Sequence, residues 1–149
     1  MKIGIWIVRV LALVGFADTA YLTASHYAGA EVFCGASGGC ETVLTSEFAM
    51  LGPVPVALLG AVYYAITSLA AWTPIDSWSR GTAIFLAGLT GLALAASGAL
   101  FWIQAAVIEA WCRFCLVSAA ITLLLFATAV WLLRRIGLRA IVRNDIENH

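Results

Sequence analysis

The chain has 149 residues, 63% of them hydrophobic and only 11% charged, with no net formal charge and a mean hydropathy of +0.99. A soluble domain is about half apolar and about a quarter charged, so the composition excludes an ordinary water-soluble core and points to one integral-membrane bundle. Zero net charge gives no electrostatic reason for nucleic-acid binding, and the sequence holds no zinc-finger, phosphate-loop or dinucleotide-binding motif.

A spanning helix needs about 20 apolar residues, and four segments qualify: Ile5–Tyr27, Val54–Trp72, Thr82–Ile108 and Phe114–Leu133. Lipid offers no partner to free backbone groups, so the spans must be helices. The expected fold is all-α: a four-helix membrane bundle forming a single domain over residues 1–149. In the first segment, Lys2 and Arg9 ahead of Val10–Ala17 look like the start of a signal peptide, but Asp18 and Tyr21 fit a cleaved apolar region poorly and no clean A-x-A site follows. Asp18 is expected to face the bundle interior, as intramembrane acids do. His26 is expected at the outer interface.

The first connection, Ala28 to Pro53, is long and carries Gly35, Gly38 and Gly39 around Cys34 and Cys40. After Cys40, within the same connection, Leu44, Phe48 and Leu51 fall at helical spacing behind Glu41, an acid suited to a helix start. This pattern predicts a surface half-helix over Glu41–Leu51, stopped by Pro53 and Pro55 and lying over the bundle as a lid. In the third span, Ala87, Gly91, Ala95 and Ala99 form a small-residue stripe that lets another helix approach. Gln104 is expected to make an interhelix hydrogen bond, and Trp102 and Trp111 fit an interfacial aromatic belt. The short turn Glu109–Trp111 leads into Cys112-Arg113-Phe114-Cys115 at the mouth of the fourth span.

Lys2, Arg9, Arg80, Arg134, Arg135, Arg139 and Arg143 lie at the termini and second connection, whereas the first connection has Glu31, Glu41 and Glu47 but no Lys or Arg, and the third has only Arg113. The positive-inside rule then puts both termini in the cytoplasm. Connections one and three, with all four cysteines, face outward, which in a bacterium means a multi-pass protein of the inner membrane with its thiols toward the periplasm, where disulfides persist.

Two outward cysteine pairs suit a thiol–disulfide relay. Cys34 and Cys40, on a loop, can meet a protein in water; Cys112 and Cys115, at the membrane edge, can meet a lipid-soluble oxidant. A thiolate at a helix start is favoured by the backbone dipoles, and Arg113 adds positive charge. Exchange between pairs passes through a mixed disulfide, with Cys40–Cys112 the expected bridge because it leaves Cys34 to receive the partner. Three other readings stay open: two static disulfides in a non-catalytic membrane scaffold, a four-cysteine zinc site, or reduced packing cysteines. An oxidising compartment and the five-residue gap between Cys34 and Cys40 argue against zinc, so no metal is expected.

With these motifs in place, the chain resembles the bacterial form of the vitamin K epoxide reductase family. The resemblance runs from Tyr21-Leu22-Thr23 through the fourth span and rests on Cys34, Cys40, Val43, Ser46, Pro55, Gly60, Tyr63-Tyr64 and Cys112-Arg113-Phe114-Cys115. It implies a four-helix bundle around a quinone, either ubiquinone or menaquinone, under a loop half-helix. It further implies reoxidation of a periplasmic thioredoxin-like, DsbA-like protein, with Cys112 and Cys115 as the redox centre, Cys115 beside the quinone, and Cys34 and Cys40 as shuttle. Ser46 matches a family serine near the pocket, and Phe114 is a candidate pocket residue. The vertebrate branch reduces vitamin K epoxide instead; its Asn early in the second span and its Tyr four residues past the last cysteine are Val56 and Ala119 here. Some bacterial members carry a fused thioredoxin domain. This sequence ends after the fourth span, so the expected partner is a separate thioredoxin-fold protein. Partners of the DsbA type sit at about −120 mV, so the acceptor must be more oxidising or be kept oxidised by respiration. The DsbB family does similar work with the two kinds of pair in reverse order, which marks this chain as an analogue of it.

Overall fold

The computed structural model describes residues 2–30, 32, 39–74 and 78–147, with side-chain surroundings given to residue 137. The chain folds as an all-α bundle of four apolar helices with a small cap. The helices are α1 (Lys2–Ala28), α3 (Val56–Ala71), α4 (Arg80–Ile103) and α5 (Arg113–Glu147), and the cap begins with the short α2 (Gly39–Leu44). By length and composition α1, α4 with its extension to Ile108, and α5 as far as Gly137 can each cross a membrane. At 16 residues α3 is shorter, about 24 Å at 1.5 Å per residue.

The reason α3 starts late is local. Met50–Leu51 (β1) pairs antiparallel with Val54–Pro55 (β2) around a tight turn, in which Gly52 takes a left-handed φ of +64°. Pro55 is already the N-cap of α3, so Val54 and Pro55 belong to the cap and not to the span. The half-helix expected over Glu41–Leu51 is also reshaped. It begins at Gly39, ends at Leu44, and is followed by a single 3-10 turn, Glu47–Ala49. Hydroxyls stop it: Thr45 Oγ1 donates to Glu41 O at 2.7 Å and Ser46 Oγ to Val43 O at 2.7 Å. These bonds offer the last carbonyls an alternative to continuing the helix. Leu51 consequently sits on the hairpin, 68% exposed, and not on a buried helical face. At the other end α5 runs on well past Leu133, since Arg134, Arg135 and Ile136 are adequate helix formers and no proline interrupts them.

Helix α1 packs on α3 and α5, and α4 packs mainly on α5. Ile5, Val8, Tyr64, Leu86, Leu125 and Leu132 form the central cluster. Outward residues such as Leu69, Leu92 and Trp102 are largely exposed, so apolar side chains cover the outside as well as the inside, as a lipid-facing bundle requires. The buried Arg9 reaches the far end of α3: its Nε donates to Ala71 O at 3.0 Å and Nη2 to Thr73 O at 2.9 Å. Its guanidinium also lies over the rings of Trp6 and Trp72, 5.1 and 5.3 Å from their centroids. A cation on unsatisfied C-terminal carbonyls complements the helix dipole. The small-residue stripe of α4 is used at Gly91, where an added Cβ would lie 3.2 Å from the Phe126 ring of α5.

Tyr64 is the central clamp. It is 1% exposed, and its hydroxyl donates to Ser118 O at 2.8 Å while lying 3.0 Å from both Ser118 Oγ and Thr122 Oγ1. Its ring fills the space that a Cβ on Gly15 would need, whereas Gly98 faces nothing within 4 Å. Gly15→Ala should therefore lower stability by about 1–3 kcal/mol through overpacking, and Gly98→Ala should be neutral or slightly stabilising. Thermal unfolding midpoints of the two variants in detergent check the contrast.

Candidate functional site

Two features of the backbone build the site. The first is the end of α4. Its last residues, Gln104–Ile108, widen into a π-helical turn, and Glu109 follows with a left-handed φ of +54°. A non-glycine residue there costs about 1–2 kcal/mol, and the conformation reverses the chain within Glu109–Trp111. Cys112 then caps α5: its carbonyl accepts from Leu116 N–H at 3.0 Å, and its Sγ accepts from Cys115 N–H at 3.4 Å. Its own N–H donates to Gln104 Oε1 at 3.0 Å, a buried bond. Gln104 thereby ties the start of the π turn, at the end of α4, to the cysteine that caps α5.

The second feature is the seam between cap and bundle. A Cβ on Gly39 would stand 2.7 Å from the carbonyl oxygen and 3.2 Å from the nitrogen of Trp111. Only glycine lets the first turn of α2 lie this close to the α4–α5 turn. The next residue on each side of that contact is a cysteine. Cys40 and Cys112 are each fully buried and belong to one cluster, with Val43 between them and Val32, Leu44, Ile108, Ala110, Phe114 and Cys115 packed around. Cys40 is disulfide-bonded, whereas Cys112 and Cys115 are free. Cys34 lies outside the described residues, so its predicted role cannot be placed on the geometry.

Cys115 stands three residues into α5 and opens on a cavity of about 470 Å³, inside the range of small-molecule sites. Its walls come from α1, the cap, α3, α4 and α5, and include Ser46, Tyr63, Ser97 and Ala119. Val56 and Ala119, the two positions where the family's vertebrate branch is polar, both lie on this wall with apolar side chains. Ser46 lines the cavity, with its hydroxyl held by Val43 O. Phe114 departs from expectation. It is absent from the cavity wall, and its ring lies on Tyr21, 5.5 Å between centroids. The cavity face of α5 is the arc of Cys115, Leu116, Ser118, Ala119 and Thr122, and Phe114, about 100° from Cys115 on the side away from Leu116, falls outside it.

The hydrogen bond from the Cys115 thiol, aided by the first N–H groups of α5, holds the Cys112 thiol below the usual cysteine range, at about 7. Burial and the negative charge of Asp18 oppose this. Asp18 is thus close enough for Cys112 to feel, and its Oδ2 is buried without a hydrogen-bond partner among the described residues. Cys112 therefore combines burial with acidity. That suits a sulfur meant to be displaced from a mixed disulfide, since a thiol of low pKa leaves faster.

Four apolar helices, a cap closing over them, and a free dithiol at a helix mouth above an apolar cavity define a helical membrane protein built for chemistry at sulfur. Residues 6–130 match the vitamin K epoxide reductase family. The chain is also 34% identical over 121 residues to the thiol-disulfide oxidoreductase LTO1 of Arabidopsis thaliana, a match covering 76% of this chain and 32% of that protein. The chain thus spans about a third of the length of that relative. It belongs to the vitamin K epoxide reductase family, a family of oxidoreductases.

Two outcomes test the site. Gly39→Ala should push α2 off Trp111 and speed backbone amide exchange at Cys40–Leu44 about tenfold, leaving α1 and α5 unchanged. In the protein with Cys112 and Cys115 reduced, ultraviolet thiolate absorbance should rise through a midpoint near pH 7. Cys115→Ala removes the leading donor and should move that midpoint upward, toward the ordinary thiol value of about 8.5.

Proposed function

We propose that the protein is a quinone-linked thiol–disulfide oxidoreductase that reoxidises a thioredoxin-fold partner and sends the electrons through two cysteine pairs. The observation that carries this reading is the sharing of one buried cluster by Cys40 and Cys112, while Cys115 opens on the cavity. The cavity fits a quinone in its volume, its apolar wall and the presence of a thiol at its edge.

The reduced partner attacks the disulfide of Cys40, whose expected mate is Cys34, and leaves both loop sulfurs reduced. The Cys40 thiolate then attacks Cys112 in a Cys112–Cys115 disulfide, forming Cys40–Cys112 and freeing Cys115 at the cavity. Attack of Cys34 on Cys40 restores the loop disulfide and expels the Cys112 thiolate, a good leaving group by its acidity. The described arrangement, with Cys40 bonded and the helix-mouth pair free, is the state after that last exchange. Closing the Cys112–Cys115 disulfide releases two electrons and two protons, and a quinone, when bound, takes up both pairs to become the quinol.

The charge distribution supports an orientation with both termini in the cytoplasm and the cysteines outward, in a bacterial inner membrane. The burial of Cys40 and Cys112, one sulfur from each pair, in one cluster favours the relay over a scaffold with two separate fixed disulfides.

Anaerobic mixing of purified protein, a reduced thioredoxin-fold protein and ubiquinone-1 should show quinone absorbance falling with partner oxidation. Serine at Cys34, Cys40, Cys112 or Cys115 should cut that turnover by at least about a hundredfold. Full partner turnover in a Cys34→Ser, Cys40→Ser variant would remove the loop pair from the path.

A further inference from the structure

Tyr63 and Tyr64 are adjacent in α3, and their rings touch at 4.6 Å between centroids, yet their hydroxyls differ in what they can do. The single proton of Tyr64 goes to Ser118 O at 2.8 Å. The Tyr63 hydroxyl is buried without a hydrogen-bond partner among the described residues. Its polar neighbours are Thr67 and Thr122: Thr67 Oγ1 donates to the Tyr63 carbonyl at 2.9 Å, and Thr122 Oγ1 pairs with the Tyr64 hydroxyl at 3.0 Å, leaving the Tyr63 hydroxyl near both but outside hydrogen-bond geometry with either. Both Tyr63 and Thr122 belong to the wall of the cavity that holds Cys115. Two other hydroxyls of that wall are internally bonded, Thr19 to Gly15 O at 2.8 Å and Ser46 to Val43 O at 2.7 Å.

A buried unpaired hydroxyl costs free energy and is rarely kept without a use. Resting on the quinone reading above, we propose that Tyr63 is the hydrogen-bond donor for a carbonyl oxygen of the quinone. The side chain turns from its sealed position beside Thr122 to meet the incoming oxygen. A phenol donates one proton and suits a carbonyl; it suits even better the more basic oxygen of a quinone being reduced. Tyr63 is thereby a binding residue that sets which end of the ring faces α3.

The test compares duroquinone with durene, the same methylated ring without oxygens. It uses protein whose Cys112–Cys115 pair has been oxidised beforehand, so that no electrons move. Binding is read from quenching or recovery of intrinsic tryptophan fluorescence. In Tyr63→Phe the Kd for duroquinone should rise about tenfold, with durene unchanged. The ligand-free variant should melt no lower than the wild type, because the orphan hydroxyl is gone, while duroquinone should raise its melting midpoint less. Equal affinity of variant and wild type for duroquinone overturns the assignment, as does equal weakening of both probes, which marks a change of cavity shape. Failure of wild-type protein to bind duroquinone overturns the quinone reading itself. Normal binding with the Tyr63 effect, but no oxidation of the reduced dithiol by duroquinone, also overturns that reading and leaves the Tyr63 contact standing.

Discussion

The close backbone contact between Gly39 and Trp111 is the constraint on which the rest of the site depends. Each partner in that contact is followed by a cysteine. Without it, the cap would be a loop tethered at both ends, and Cys40 would sample a large volume at a steep entropic cost for every exchange. With it, Cys40 and Cys112 share one dry cluster. Water is excluded from both sulfurs, and the cap over them is small: a six-residue helix, one 3-10 turn and a hairpin of two two-residue strands. In the proposed relay, the cap is the part that would meet a soluble protein, while the bundle keeps Cys112 and Cys115 over the cavity.

The bundle holds its side of that contact by polar bonds that are few and well placed. Gln104 fixes the Cys112 backbone, the left-handed Glu109 closes the turn, and Tyr64 ties α3 to α5 one turn below Cys115. At the opposite end Arg9 bonds α1 to the end of α3. In an apolar surrounding, each such bond has no competing water. Packing is dense where helices must stay put, at Gly15 against Tyr64 and Gly91 against Phe126, and open where α4 turns Gly88 and Gly98 outward.

Hydropathy made the helices legible, because lipid imposes length and composition on a span regardless of its neighbours. The two cysteine pairs were legible by spacing, and the serine at the pocket by resemblance. What the pattern did not carry was geometry set by single hydroxyls and by backbone irregularity. Thr45 and Ser46 ended the cap helix where Leu44, Phe48 and Leu51 had suggested it continued. The π turn at Gln104–Ile108 rephased the end of α4, which no periodicity rule reports. Phe114 falls outside the arc of α5 that lines the cavity and packs on Tyr21. Tyr63 and Tyr64 are identical side chains in sequence, and the placement of Ser118 and Thr122 gives the second a set of hydrogen bonds that the first lacks. Gly39, one of three glycines around the first cysteine pair, serves close approach to Trp111, which its place in the sequence does not report.

The central claim is that Cys40 hands its electrons to Cys112 beneath the cap. A double variant, Cys34→Ala with Cys115→Ala, leaves only those two sulfurs, and mild oxidation followed by mass analysis shows where they go. One intramolecular Cys40–Cys112 disulfide in nearly every molecule is the predicted result. Two persistent free thiols, or bridges only between molecules, would contradict it.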